Sequence, residues 1–366
     1  MKKVGVGVVG CGNISGIYFQ NLTQTFLNVE VLACADLDAA RAKEAAEKWN
    51  IPHIMTFEEM LEKEEIQIIL NLTTPKSHYS ICKQALLAGK NVYVEKPLSL
   101  SVEDGLELVR LAEENGLLLG GAPDTFMGAG IQTCRKLIED GYIGRPVAAS
   151  AFMMCRGHES WHPDPEFYYK TGGGPMLDMG PYYLTALVNL MGGVSEVCGM
   201  NTSAFPTRTI TSEKKYGQTI TVETDTHVAG LLRFASGAVG TIITSFDVSA
   251  STLPRIEIYG TKGSVLVPDP NTFGGPVQLS TMDKGGFKEV PLTHIYAENS
   301  RGIGVSDMAK CLLEGGSLRA GCGLTSHVLE IMCALKESDE CKQYISLKTS
   351  CDKPEPVSAD LIKGQI

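Results

Sequence analysis

Val4-Gly5-Val6-Gly7-Val8-Val9-Gly10-Cys11-Gly12-Asn13-Ile14-Ser15 begins just inside the chain, after Met1-Lys2-Lys3. A short run of valine and glycine passes directly into a Gly-x-Gly turn, and the stretch 14–26 continues as a helix, so the segment reads as strand, turn and helix. Gly10 allows the tight turn. Gly12 lets backbone approach a pyrophosphate, whose charge sits at the helix N-terminus. Ser15 stands where a third glycine is usual and is small enough for close helix–strand packing. The apolar run is short and rich in glycine, and no small-residue cleavage site follows it. A buried first strand is therefore expected rather than a signal peptide. The next strand, 31–35, ends on Asp36. A carboxylate there accepts from ribose hydroxyls and repels a 2′-phosphate, which favours NAD over NADP.

Outward from this unit the alternation continues. Helix 39–49, strand 66–72, helix 77–87 with Gly89 just past its end, strand 91–94, helix 102–114 and strand 117–120 follow in turn. Continuous apolar strands between amphipathic helices mean a parallel sheet covered on both faces. After about residue 123 the pattern changes. Strand-like runs at 147–154, 194–202, 226–234, 238–246, 255–259 and 264–267 alternate apolar and polar residues, and helices are expected at 130–139, 176–190, 305–313 and 324–336. The fold class is α/β. A doubly wound Rossmann domain over 1–122 precedes a domain over 123–366 built on a large open, mostly antiparallel sheet with helices on one face. The cleft between them is the expected site.

Composition narrows the function. The 366 residues include 32 Lys and Arg against 42 Asp and Glu, a net charge of −10. An acidic chain without a basic stripe is a poor nucleic-acid ligand. No apolar stretch is long enough to span a bilayer. The 11 cysteines are odd in number, form no C-x-x-C pair and lie mostly in apolar runs, so reduced buried thiols and a cytoplasmic location are expected.

The segment Asn91-Val92-Tyr93-Val94-Glu95-Lys96-Pro97 carries the first candidate for chemistry. In chain order its strand is the fourth, which a doubly wound sheet places beside the first, where the ligand crevice opens. Lys96, just past the strand end, is placed to donate to an alcohol oxygen and to stabilise charge developing on it. Pro97 fixes the local backbone and allows a cis bond. Farther on, Asp178 and Tyr182 are four apart in an expected helix and share a face. Oxidising a secondary alcohol needs a hydride acceptor and a group to take the hydroxyl proton. A tyrosine beside an ammonium suits that task, because the positive charge favours phenolate. Read alone, these residues fit a surface lysine, a helix cap and a core aromatic better than a site, and it is the resemblance below that singles out Asp178 and Tyr182.

With these residues in view, the chain resembles the glucose–fructose oxidoreductase/inositol dehydrogenase (Gfo/Idh/MocA) family. The likeness lies in Gly10-Cys11-Gly12-Asn13-Ile14, Pro75 with His78, 88–92 running into Glu95-Lys96-Pro97, Gly172-Gly173-Gly174-Pro175-Met176-Leu177-Asp178-Met179-Gly180, and Gly260-Thr261-Lys262-Gly263. The resemblance implies a nicotinamide-dependent dehydrogenase and homo-oligomers, from dimer to hexamer, paired through the second-domain sheets. It makes Lys96 and Asp178 the catalytic pair. Gly10, Gly12, Asn13, Ile14, Asp36, Thr73, Thr74, Pro75, His78, Glu95 and Lys96 become the cofactor contacts. Where the family often has a histidine four residues after the aspartate, this chain has Tyr182, as glucose–fructose oxidoreductase does. Thr185 replaces the usual aspartate three residues later.

The segment 154–169, Met-Cys-Arg-Gly-His-Glu-Ser-Trp-His-Pro-Asp-Pro-Glu-Phe-Tyr-Tyr, precedes the triple glycine. Its aromatics suit the C–H faces of a sugar ring and its polar groups suit hydroxyls. Arg156, Trp161, His162 and Tyr168 join Lys96, Asp124, Asp178 and Tyr182 as substrate contacts, unless the aromatics pack a subunit interface. His158 and His162, near Glu159, Asp164 and Glu166, lack the tight spacing of a metal site, and no metal is expected. The small-molecule substrate is expected to be a sugar, glycoside or cyclic polyol. A redox-neutral glycosidase that keeps its NAD would use the same residues. A non-catalytic dinucleotide sensor would not need Lys96, Asp178 and Tyr182 together.

Overall fold

The computed structural model describes residues 2–283 and 285–366. Six parallel strands form the first sheet: β1 (Val4–Val9), β2 (Val29–Ala35), β3 (His53–Ile54), β4 (Ile66–Asn71), β5 (Asn91–Val94) and β6 (Leu119–Gly121). Their order is β3-β2-β1-β4-β5-β6, so the chain reverses direction across the sheet between β1 and β4. Five helices connect them: α1 (Ser15–Gln24), α2 (Ala39–Trp49), α3 (Phe57–Glu62), α4 (Pro75–Leu87) and α5 (Val102–Glu114). β1 is buried at every residue, as expected for a strand covered on both faces.

One expectation needs correction. The two-residue β3 is exposed and carries no apolar run, so the sequence does not announce it. Counting it makes Asn91–Val94 the fifth strand, paired with β4 and β6 rather than β1. Ile66–Asn71 is the neighbour of β1. Lys96 nonetheless stays at the carboxyl edge of the sheet, because all six strands run the same way.

The second domain begins with α6 (Ala129–Glu139) and β7 (Pro146–Met154), followed by α7 (Pro175–Met191) and the strands β8 (Val194–Thr202), β9 (Thr207–Thr209), β10 (Thr219–Thr221), β11 (His227–Phe234), β12 (Val239–Ser245), β13 (Ile256–Gly260), β14 (Gly263–Val267), β15 (Val277–Thr281) and β16 (Lys288–Val290). Helices α8 (Ile303–Glu314) and α9 (Cys322–Cys341) and strand β17 (Ile345–Ser346) complete it. Nine of these strands form one sheet in the order β16-β15-β14-β13-β7-β12-β11-β8-β17, while β9 and β10 make a separate hairpin. Among the described residues, only β12 and β7 pair in parallel within the large sheet; its other pairs are antiparallel. Helices cover one face. A Cβ on Gly199 or Gly230 would meet Leu335 of α9 at 2.2 and 2.4 Å, so these strand positions keep glycine where the helix lies closest.

The boundary at residue 122 is crossed by the chain itself. Helix α8 returns to the first sheet, where Ser306 donates to Asn28 Oδ1 (2.7 Å) and Asn28 donates back to the Ser306 carbonyl (2.8 Å). Gly304 lies over Tyr93 of β5, and a Cβ there would meet the phenol oxygen at 2.1 Å. The two domains therefore share packing as well as a cleft.

Candidate active site

At the switch between β1 and β4, Gly10 has φ +102° and a Cβ on it would clash with the Leu72 carbonyl carbon at 2.7 Å. The glycine loop thus lies against the loop after β4. A Cβ at Gly12 would meet nothing within 4 Å, so the space above the α1 N-terminus is open. No side chain caps α1, and its N-cap residue Ile14 is an exposed apolar side chain. The backbone donors there suit a pyrophosphate. Asp36 accepts from the Cys11 N–H through Oδ2 (2.7 Å) and from the Asp38 N–H through Oδ1 (2.8 Å), which ties the end of β2 to the loop. Each oxygen keeps a further lone pair for a ribose hydroxyl. Leu37 beside it is fully exposed, an apolar surface next to the ribose position that the sequence reading missed. These residues fit NAD. Asp36→Ala is expected to weaken NAD about ten-fold or more and to raise the NADP/NAD preference, because a charge-assisted bond and the repulsion of a 2′-phosphate go together. Fluorescence titration with NADH and NADPH checks it; an unchanged ratio would assign the ribose to another residue.

Past β5, the Lys96–Pro97 bond is cis. Lys96 Nζ donates to Asp178 Oδ1 (2.8 Å) and to the Asp178 carbonyl (2.7 Å) of α7. Pro181, inside α7, supplies no N–H to the helix ladder and disturbs the turn that carries Asp178. Burial works against the Lys96 ammonium, but Asp178, Tyr182 and Glu95 together outweigh it and raise its pKa. Burial likewise works against the Asp178 carboxylate, and Lys96 and His158 together nevertheless hold it down to about 2. The two remain an ion pair across the neutral range.

Tyr182 is buried, with Lys96 Nζ 5.4 Å from its ring centroid and the Arg301 guanidinium at its hydroxyl. Burial raises its pKa, and the two cations only partly offset that. The phenol therefore stays protonated at neutral pH, which corrects the expectation that the lysine charge would make it phenolate. Arg301, fixed on Asn271 Oδ1 (2.6 Å) and Asn299 Oδ1 (2.9 Å), gave no sequence signal.

The loop 155–169 crosses the same face. His158, read earlier only for metal binding, places Nε2 3.4 Å from Asp178 Oδ2. Its ring centroid lies 4.3 Å from Tyr168, 4.7 Å from Phe246 and 5.3 Å from Trp161. Beneath it, Glu159 accepts from Tyr169 (2.6 Å) and from Arg208 (3.2 Å), and Arg208 also pairs with Asp247. This network pins the loop and the β9–β10 hairpin together. His162 stacks edge-on against Tyr168 at 5.3 Å, and its Nδ1 accepts from the Asp164 N–H (3.0 Å). Trp161 is exposed at the rim and Arg156 is exposed beyond it.

Three expected contacts are placed otherwise. Asp124 is 1 % exposed, and its Oδ2 accepts from the Gly302 (2.8 Å) and Gly304 (3.1 Å) N–H groups, so it caps α8 instead of facing substrate. Burial pushes its pKa up to about 6 despite these donors. His78 is fully buried, with Nδ1 2.7 Å from the Pro97 carbonyl oxygen and Nε2 3.0 Å from that of Thr73. It joins the loops after β4 and β5 rather than touching a cofactor. Glu95 accepts from Tyr18 (2.8 Å) and from the Lys96 N–H (3.0 Å), which braces the lysine backbone from below. Thr73, by contrast, lies on the crevice, its hydroxyl donating to Asn71 Oδ1 (2.6 Å), and Thr74 and Pro75 open α4 there. Asp124 and Glu95 take partners from distant segments, Gly302, Gly304 and Tyr18, whereas His78 is held by the nearby Thr73 and Pro97.

Family comparison agrees with this geometry. Residues 4–121 match the model of the oxidoreductase family with an NAD-binding Rossmann fold, and residues 131–266 match the GFO/IDH/MocA C-terminal domain. The chain is 28% identical to trans-1,2-dihydrobenzene-1,2-diol dehydrogenase of Bos taurus over 318 residues, covering 84% of this chain and 88% of that one. It is 25% identical to myo-inositol 2-dehydrogenase of Thermotoga maritima over 266 residues, 71% and 74% of the two chains. An NAD binding oxidoreductase from Klebsiella pneumoniae shares the fold at a TM-score of 0.82 and 20% identity, covering 94% of this chain and 98% of that chain. Levoglucosan dehydrogenase in complex with NADH does so at 0.81 and 20%, covering 95% and 100%. With both domains matched and the glycine loop, Asp36 and Lys96 on one crevice, the chain belongs to the GFO/IDH/MocA family of NAD-binding oxidoreductases.

Proposed function

We propose that the protein is an NAD-dependent dehydrogenase that oxidises a secondary hydroxyl of a sugar, glycoside or cyclic polyol. The observation that carries this is the Lys96–Asp178 ion pair, 2.8 Å long and largely buried, at the carboxyl edge of the dinucleotide-binding sheet. NAD bound on the glycine loop and Asp36 would supply the hydride acceptor. Lys96 holds a positive charge where the carbinol oxygen gains negative charge, and Asp178 keeps that ammonium in place. The protonated Tyr182 hydroxyl offers a further donor. Relatives of the family point the same way: besides the inositol enzyme, a D-xylose dehydrogenase of Paenarthrobacter nicotinovorans is 25% identical over 239 residues.

Within this class we assign a pyranose, and a ring hydroxyl of a glycoside, to the aromatic loop. Trp161, exposed beside His158 and His162, is the stacking surface. The test is a panel of D-xylose, D-glucose, myo-inositol and methyl β-D-glucopyranoside with NAD, followed by NADH absorbance. Net NADH with at least one supports the dehydrogenase. Aglycone release without NADH would make it a redox-neutral glycosidase, and no conversion would leave a dinucleotide-binding sensor. On the active sugar, Trp161→Ala is expected to raise KM about ten-fold with little change in kcat. A normal KM with a smaller assembly would make Trp161 an interface residue instead.

We also propose that two or more copies pair through the open face of the large sheet. Met200, Leu231 and Val239 on β8, β11 and β12 are 73%, 44% and 43% exposed, on the face away from α9. Exposed apolar side chains on one open sheet face favour a partner. The double variant Met200→Glu/Leu231→Glu is expected to lower the mass measured by light scattering while leaving the circular dichroism spectrum intact. An unchanged assembly would place the interface elsewhere. The site, the acidic charge and the reduced thiols together suit a cytoplasmic enzyme.

A further inference from the structure

We propose that His158 receives the substrate hydroxyl proton, oriented by Asp178, in the place that the helix position of Tyr182 does not fill. The assignment rests on the dehydrogenase reading and names its base. Asp178 divides its carboxylate between two partners: Oδ1 takes Lys96 Nζ at 2.8 Å, and Oδ2 faces His158 Nε2 at 3.4 Å. Nε2 is shut off from solvent and has no hydrogen-bond partner. A buried ring nitrogen left so is costly, and a small closure onto Oδ2 satisfies it. The carboxylate then fixes the tautomer with the proton on Nε2, which leaves the Nδ1 lone pair free. The side chain keeps 12% exposure although Nε2 keeps none, so the accessible edge is turned away from Asp178.

The surroundings hold the ring in that pose. Tyr168, Phe246 and Trp161 pack around it, and the His158 N–H donates to the Tyr169 hydroxyl (3.3 Å). The charged and titratable groups that face it are Asp178 from α7, Lys96 behind that carboxylate, Tyr168 and His162 from its own loop, and the Glu159–Arg208 pair beneath. Tyr182 offers no competing acceptor, since its buried phenol remains protonated.

The step balances. The substrate O–H bond breaks and its proton passes to Nδ1. The electron pair left on oxygen becomes the second C–O bond as the C–H pair leaves as hydride, for which NAD held by the glycine loop and Asp36 would be the two-electron acceptor. Lys96 steadies the oxygen while its charge grows, and Asp178 stabilises the imidazolium. The proton then leaves from Nδ1 to solvent.

Two measurements test this. In the first, the ring nitrogens of protein labelled with nitrogen-15 histidine and saturated with NADH are observed by NMR, with the His158 signals identified through His158→Gln. Asp178→Asn is expected to abolish the preference for the Nε2–H tautomer, read from the difference between the two ring-nitrogen shifts. In the second, kcat is followed against pH on whichever member of the sugar panel is oxidised. His158→Gln is expected to lose about a hundred-fold in kcat and the acid limb of the profile, to keep NADH affinity within about two-fold, and to regain rate with added imidazole. Tyr182→Phe is expected to keep the acid limb. His158 ring-nitrogen shifts indifferent to Asp178→Asn, or a His158→Gln profile with the parent's acid limb, would overturn the assignment while the dehydrogenase reading stands. If the parent oxidises nothing on the panel, that reading falls and takes this assignment with it.

Discussion

Lys96→Ala is expected to cut kcat by about three orders of magnitude or more while leaving NADH affinity within a few-fold. The asymmetry follows from position. Lys96 lies past β5, and its ammonium points into α7 at Asp178, whereas the glycine loop and Asp36, the proposed pyrophosphate and ribose contacts, lie at the ends of β1 and β2. Its charge matters most when the alkoxide forms, so the loss appears in kcat more than in binding. Losing it also frees Asp178 Oδ1 in a site that excludes most water, which leaves a carboxylate to repel the developing charge. Turnover near the parent's rate would sink the site assignment, and a matching loss of NADH binding would mean that the lysine serves the cofactor instead.

Asp178→Ala should show both a kinetic and a thermodynamic effect. Removing one member of a buried pair leaves the other uncompensated, and the expected cost is about 3 kcal/mol in urea unfolding at pH 7. The side chains are 17% and 18% exposed, so some relaxation toward solvent tempers it. The pH dependence carries a definite sign. The folded-state carboxyl lies at about 2, below its ordinary 3.8. Its stabilisation is therefore complete above roughly pH 5 and fades as pH falls toward 2. The difference in unfolding free energy between parent and variant should shrink over that interval and stay flat above it. A difference that grows on acidification would contradict the pairing. The kcat of the variant should drop about a thousand-fold, since Lys96 loses its anchor and the electrostatic support for the developing oxyanion with it.

Much of the first domain could be read directly. Val4–Val9, the Gly10–Gly12 turn and Asp36 are local signals, and each depends on neighbours within a few residues. The strand 194–202 and the helix bearing Asp178 were likewise legible from alternation and periodicity. The misreadings have two causes, partners brought by tertiary packing and an element too short to show a pattern. Asp124 looked like a free carboxylate after β6, but its donors, Gly302 and Gly304, come from 178 and 180 residues away. His78 looked like a cofactor contact, yet cis-Pro97 and Thr73 close over it. β3 was invisible because two exposed residues carry no hydrophobic pattern.

Asp178 and Tyr182 became candidates through the likeness to the family's motif. The sequence by itself determined the alternating architecture, the dinucleotide loop, the choice of Asp36 over a phosphate-binding residue and the place of Lys96 past a strand end. Those follow from side-chain period, backbone freedom and residue chemistry, which act over short stretches of chain. Only the tertiary structure decided what each charge meets. Tyr182 carries the residue type of a proton acceptor, but burial raises its pKa more than Lys96 and Arg301 lower it. His158 carries no motif, and it gains its partner because the loop after β7 folds over the N-terminal turns of α7. Ionisation energies depend on dielectric and on charges a few ångströms away. Those distances arise from contacts between residues 82 positions apart for Lys96 and Asp178, and from three separate elements converging on one carboxylate.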